Sequence, residues 1–470
     1  MSFYIYDISF LVIFSILVGI FLYKKRHNLK KEGIMYLYRT KVGIKFINYV
    51  GTKYKRFLSV YGFIGVIVGY LLMISMIYFL YNLVYIYLFA PELVRQIKIP
   101  PLMPLIPYLP EAFRISFLPP FYFTYWIISI AVIAIFHEFA HGIIARRYNI
   151  KIITTGFGFL GPFLAAFVEP NEKQMVKKPK YQQIAVLSAG VFTNLILAIL
   201  FFLLLSIFFA FAYVPAGAMF NTYTPGLVEI SSISSIGGKS VLDANSKGLL
   251  ELIKENNLQD NLVLGSNDSE IKLTKIIVNN KTHYTNIENF KQQLKMNKDN
   301  KIAVFENLPA INTGLKGVIV KINDNEIKSH DDLAIIMKEF KPGDKIKITA
   351  INKIKDKEKL EYEIFLGEDP NEVGRAVIGI GLLNSKERII GQISESFNFF
   401  KKPGTYYEPK FNTDLIIFIY NLIWWLALIN LSVALINMWP VAIFDGGRFF
   451  MLTIWAITGS EKFAQISFKF

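Results

Sequence analysis

The sequence predicts a polytopic α-helical membrane protein carrying an inserted, water-soluble α+β region. Three observations predict it. Of 470 residues, 53% are hydrophobic and 41 are Phe, more than a soluble globular chain carries. Apolar runs of sixteen residues and longer recur in both terminal thirds. Residues 221–385 change character and read as polar, Lys/Asn/Asp-rich sequence with short β-type runs.

The formal net charge of +15 raises the question of nucleic acid, but the basic residues sit beside apolar runs. That placement marks cytoplasmic loops of a membrane protein, so no nucleic-acid partner is expected. With no cysteine in the chain, disulfides, thiolate metal sites and a cysteine nucleophile are excluded.

Taken in order, Ile8–Tyr23 is a first span with Asp7 at its outer end, and it reads as a retained anchor. Residues 24–56 hold eleven Lys and Arg against the single Glu32, which assigns the loop to the cytoplasm. Its interleaved Tyr and Phe fit a segment on lipid headgroups or a solvated loop equally. A second span runs from Phe57 to Ala90, followed at 91–120 by a proline-rich external loop. These pieces, residues 1–120, form an N-terminal membrane region outside the segment that carries the chemistry.

Phe121–Ala145 is the next span and lacks charge except at Phe136-His137-Glu138-Phe139-Ala140-His141-Gly142. On a helix His137 and His141 stand one turn apart and can grip one metal ion. Glu138, beside them, is placed to take a proton from water at that metal. Ionisable groups inside an apolar span are costly, so the default reading is function. Residues 151–170, punctuated by Gly156, Gly158, Gly161 and Pro162, suit a re-entrant, extended hairpin that must be covered or line a wet cavity. A fourth span, Ile184–Tyr213, contains Ala189-Gly190-Val191-Phe192-Thr193-Asn194 and closes a region at 121–214.

Within 221–385 a weak repeat recurs at a spacing of about 44 residues, each copy reading strand, turn, short strand, helix. The second copy, with Pro309-Ala310 and Gly314-Leu315-Lys316 ahead of it, resembles a PDZ domain at 309–385. The first, at 221–308, is a weaker, degenerate match; one α+β domain with an insertion is the plainer reading. The final membrane region, 415–470, holds a span from Leu415 to Trp439 and a shorter apolar piece at Phe449–Thr458, about six membrane segments in all. At Phe470 the sequence reads like the opening of another apolar helix.

A catalytic zinc takes three protein ligands, and the helix supplies two. Asp445 is the acid available in the last block, where Pro440 and Gly446-Gly447 break the helix; capping the next helix is its competing role. His137 lies about 24 Å and Asn437 about 33 Å from the outer ends of their spans, at 1.5 Å per residue, so both reach the cytoplasmic side of a core about 30 Å thick. Asn437 is the candidate oxyanion donor.

The His-Glu-x-x-His at 137–141 and the Asn-x-x-Pro-x-x-x-x-Asp-Gly at 437–446 resemble the site-2 protease family of intramembrane zinc metalloproteases. Phe167-Val168-Glu169-Pro170 and Ala189-Gly190…Asn194 match as well, although Val191 stands where the family has proline. The resemblance implies one Zn2+ on His137, His141 and Asp445, with Glu138 as general base and transmembrane protein segments as substrates. The 151–170 segment suits an edge for an extended substrate, as in strand addition, and a plain re-entrant structural loop equally. The PDZ-like region would lie outside the cytoplasm as a size filter or a binder of peptide C-termini. A transporter or channel, and an inactive scaffold, are the alternatives. The first needs repeated membrane halves, which the sequence lacks, and the second is disfavoured by the intact ligand set.

Overall fold

The computed structural model describes residues 3–33, 35–89, 103–113, 115, 118–160, 163–266, 269–296, 299–352, 358–382 and 398–467. Much of the proline-rich loop, the turn at Gly161-Pro162 and the end at Phe470 lie outside these. Two compact units emerge, one built from residues 1–211 and 412–470, the other from 212–411.

In the first unit, α1 (Phe3–Lys24) contains no charged residue between Asp7 and Lys24. The basic loop that follows, read from sequence equally as a segment on lipid headgroups or a solvated loop, is regular structure over much of its length. It forms strands β1 (Leu29–Glu32) and β2 (Met35–Thr40) and then helix α2 (Ile44–Lys53). Ile47, fully buried, and Gly51 form the inner face of α2, while Phe46, Tyr49 and Lys53 stay outside. The rise of apolar residues on one face and lysines on the other explains why so basic a stretch folds.

Helix α3 (Lys55–Phe89) is 35 residues long, and the single turn α4 (Leu109–Ala112) precedes the motif helix α5 (Phe123–Arg147). Next comes the hairpin of β3 (Ile152–Leu160) and β4 (Phe163–Pro170), the expected extended segment. With β1 and β2 it makes a four-stranded antiparallel sheet in the order β1-β2-β3-β4. Gly156 belongs there because a Cβ would stand 2.3 Å from the Tyr38 carbonyl oxygen of the neighbouring strand. Arg39 ties the sheet further, reaching Glu32 at 3.1 Å and Glu169 at 3.2 Å. A short α6 (Glu172–Val176) leads into α7 (Lys180–Ala212).

The second unit opens and closes on one ribbon: β5 (Tyr213–Ala218) pairs antiparallel with β21 (Thr405–Pro409). Between them run β6 (Thr222–Tyr223), β7 (Pro225–Glu229), β8 (Ile233–Ile236), β9 (Lys239–Ser240), α8 (Ser246–Glu255), β10 (Leu262–Ser266), β11 (Ser269–Val278), β12 (Lys281–Thr285), α9 (Ile287–Met296) and β13 (Lys301–Glu306). There follow α10 (Pro309–Asn312), β14 (Val318–Ile322), β15 (Asn325–Glu326), α11 (His330–Ile336), β16 (Lys345–Ile351), β17 (Lys359–Phe365), β18 (Gly367–Asp369), β19 (Glu372–Val377) and β20 (Ile380–Gly381). The repeated pattern is visible as β11-β12-α9 and β14-β15-α11, and both turns use Asn in the left-handed region, at Asn279, Asn280 and Asn323. Each copy contributes to its own sheet, one of seven strands and one of six, and Leu273 of β11 joins the apolar cluster under the second copy. A groove of about 630 Å³ runs between α11 and β19, with Leu333, Ala334 and Met337 on one wall and Arg375 to Ile378 on the other.

Returning to the first unit, α12 (Thr413–Ile436) is followed by a tight loop, then by α13 (Asp445–Thr458) and α14 (Glu461–Ser467). Five helices, α1, α3, α5, α7 and α12, are long and apolar enough to cross a membrane. The Phe449–Thr458 piece is the end of the 14-residue α13, which is not one of them, so the described residues show five long apolar helices rather than six.

Candidate metal centre and catalytic site

His137 and His141 project from the same side of α5, 7% and 9% exposed. Their Nε2 atoms are 3.0 Å apart, and Asp445 Oδ2 stands 3.2 Å from each. Asp445 gets there because α12 ends before Pro440 and the chain folds back at once. Gly446 N–H donates to the Asn437 carbonyl at 2.7 Å, and a Cβ at Gly446 would stand 2.4 Å from the Met438 carbonyl carbon. Asp445 opens α13, but Phe444 is the N-cap residue and no side chain caps the helix. The carboxylate faces the histidines instead.

This triangle fits a metal ion. Tetrahedral donors bonded at 2.0–2.1 Å stand about 3.4 Å from one another, within a few tenths of the spacing here. His141 Nδ1 donates to the Val186 carbonyl at 2.7 Å, which leaves the Nε2 lone pair aimed at the centre. Gly190 clears the space, since a Cβ there would stand 2.4 Å from His141 Nε2 and 2.7 Å from His137 Nε2. Two imidazoles and a carboxylate are a donor set suited to zinc.

The Glu138 carboxylate lies within 4.8 Å of both histidine donors. Its Oε2 accepts the Val168 N–H of β4 at 2.9 Å, so the sheet holds the carboxylate in place. Close packing makes this joint: a Cβ at Gly142 would stand 2.9 Å from Val168 Cγ1. Beyond β4, Arg448 makes a bidentate pair with Glu172 at 2.8 and 2.9 Å, linking the first turn of α13 to the start of α6. Those hydrogen bonds hold the Glu172 carboxyl below its usual range.

The family model described as peptidase family M50 matches residues 125–470. The chain belongs to peptidase family M50. It is therefore a metalloprotease, a hydrolase of peptide bonds, of a family that usually works with zinc. Its five long apolar helices mark this M50 peptidase as an integral membrane protein. A comparison with curated proteins returns no match.

The structure brings His137, Glu138, His141 and Asp445 together. Asn437 caps the end of α12, half-buried; its N–H donates to the Val433 carbonyl and its own carbonyl accepts from Gly446, while its side chain makes no hydrogen bond among the described residues. Four contributors to the site had been given no role from sequence: the Val186 carbonyl, Gly190, Asn194 and the Val168 N–H. The first three lie four residues apart on α7, a spacing that could have exposed them once the helix was known to face α5.

Proposed function

We propose that this peptidase cuts peptide bonds within membrane-embedded segments of other proteins, as in regulated intramembrane proteolysis, with one zinc ion on His137, His141 and Asp445. The observation that carries the reading is the joint between Glu138 and Val168, which puts base, ligand triangle and strand edge at one point. Bound zinc would supply Lewis acidity toward the scissile carbonyl and an acidified water.

The chain's own groups account for the rest. Glu138 accepts the proton of the attacking water and returns it to the leaving amine nitrogen. Successive residues of an antiparallel strand turn their N–H and C=O groups to alternate sides. Because Val168 N–H points away from β3, the groups of Ala166 and Leu164 point outward along the same edge, where β4 ends the sheet. A transmembrane substrate hides its carbonyls in helical hydrogen bonds and must unwind before attack. Strand addition along Leu164 and Ala166 holds the unwound backbone beside Glu138. Asn437, with its amide uncommitted, is the proposed donor to the developing oxyanion.

Glu138→Gln removes the base and leaves all three ligands. Metal content should stay at one per chain, while cleavage of a transmembrane reporter in reconstituted vesicles falls at least about 100-fold. Near-normal turnover would assign water activation to another group.

The same reading places the metal centre toward the cytoplasm and residues 221–385 outside, supported by the basic ends of α5 and α7. Ser329 is unsuited as a labelling position in this region, being buried and capping α11 by accepting from Asp332 N–H. Leu242, fully exposed, replaces it. Leu242→Cys should react with impermeant thiol reagents on intact cells, and labelling only after lysis would invert the orientation.

For the groove between α11 and β19 we propose extended peptide ends, such as new C-termini, as ligands. Ala334→Trp fills that groove and should abolish peptide binding to the full-length protein without altering metal content. Unchanged peptide affinity would remove the groove from the binding surface.

A further inference from the structure

The α7 groups against the metal centre form one stripe. Val186, Gly190 and Asn194 are spaced four apart, so they follow each other along a single helix face. The Val186 carbonyl orients His141, and Gly190 admits both rings. Asn194, with no exposed surface, places its carboxamide 3.0 Å from His137 Nδ1.

The orientation of that carboxamide carries chemistry. With Nδ2 toward the ring, Asn194 Oδ1 is left buried without a partner. A His137 that uses Nε2 toward a metal carries its proton on Nδ1, so two donors would then face each other. Exchanging the amide oxygen and nitrogen, which are alike in shape, turns that clash into an Nδ1–H···Oδ1 hydrogen bond. We propose that Asn194 is the positioning residue for His137: its carboxamide oxygen accepts the Nδ1–H and fixes the tautomer and plane of the ring. The stripe thus orients both imidazoles, His141 through a backbone carbonyl and His137 through a side chain. This rests on the metal centre described above and requires nothing of the substrate.

Two variants of the purified full-length protein test it, read by competition for Zn2+ with a chromophoric chelator and by the visible spectrum of the Co2+-loaded form. Asn194→Leu keeps the volume and removes the acceptor. Its metal affinity should fall about 10- to 100-fold, with a shifted Co2+ spectrum. Asn194→Asp keeps an oxygen facing Nδ1 and should bind metal at least as tightly as the wild type, with a near-native spectrum. A merely space-filling residue predicts the opposite order. Wild-type affinity and spectrum in the Leu variant would overturn the assignment, as would equal loss in both variants. Should the Leu variant fail to fold, the Asp variant decides alone: retained affinity supports the role and a tenfold loss overturns it. Metal is read here without substrate, so an intact metal centre that cuts nothing would count against the proteolytic reading only.

Discussion

Gly190→Ala yields a folded protein that no longer holds metal. The new methyl carbon would stand 2.4 Å from His141 Nε2, 2.6 Å from His137 Cε1 and 2.7 Å from His137 Nε2. Such contacts require the neighbours to move, and these neighbours are not loose side-chain ends. His141 is pinned by the Val186 carbonyl at 2.7 Å, and His137 by Asn194 at 3.0 Å. Either ring can swing clear only by leaving the triangle it forms with Asp445. Inside a helix, alanine is favoured over glycine by about 1 kcal/mol, which offsets part of the packing cost. Metal affinity should therefore fall more than about 100-fold, well beyond any change in thermal midpoint, and hydrolysis should fall with it. Chelator competition and a melting curve on the same preparation separate the two effects. Stoichiometric metal at wild-type affinity would mean that α5 and α7 separate readily, and that Gly190 is not required by the ligands.

The candidate metal centre was readable because its chemistry is local. His137, Glu138 and His141 share one helical turn, and Asp445 stands out as an acid in an apolar block broken by Pro440 and two glycines. That the Asp445 carboxylate faces the histidines and does not cap α13 was visible only in the fold, since both readings place the residue at the start of that helix. What sequence could not show are the bonds between distant segments. Nothing in Met35–Thr40 announces that it pairs with Ile152–Leu160 more than a hundred residues later. Alternation in Met35-Tyr36-Leu37-Tyr38 is a strand pattern, but eleven surrounding cations carry the stronger signal, that of a loop. Arg39 illustrates the confusion: counted as one more topological charge, it is an ion-pair partner of Glu32 and Glu169 within the sheet.

The N-terminal spans had no evident role in sequence, and residues before 125 lie outside the family match. Their packing gives them one. Tyr61 of α3 lies 2.6 Å from Thr193 on α7; Thr193 gives its own proton to the Ala189 carbonyl, so the Tyr61 hydroxyl donates. Gly65, on the same helix, lets Phe192 and Ser188 approach closely. Helix α3 thus steadies the part of α7 on which Gly190 and Asn194 stand.

Asp7 does the corresponding work for α5, and its loss should be the most destabilising single change in the N-terminal region. Sequence marks Asp7 only as the outer end of the first span. In the fold its carboxylate is 1% exposed and fully engaged. Oδ1 accepts from Thr124 N–H at 2.9 Å and from the Thr124 hydroxyl at 2.5 Å. Oδ2 accepts from Phe123 N–H at 2.8 Å and from the Tyr108 hydroxyl. Phe123 and Thr124 open α5, whose own N-cap residue, Tyr122, supplies no side-chain cap. Asp7 is therefore the cap of the motif helix, delivered from another helix, and its negative charge meets the positive end of the α5 dipole. Asp7→Ala strands two backbone donors and two hydroxyls in a buried place, at about 3–5 kcal/mol. Asp7→Asn keeps one acceptor oxygen and should cost roughly half as much; Tyr108→Phe, which removes a single donor, about 1 kcal/mol. Unfolding midpoints in a denaturing-detergent titration rank the three. Metal affinity of the molecules still folded should barely change, because His137 lies fourteen residues along the helix, about 21 Å away. A wild-type midpoint in Asp7→Ala would show that α5 starts without help, and α1 would lose its part in holding the catalytic helix.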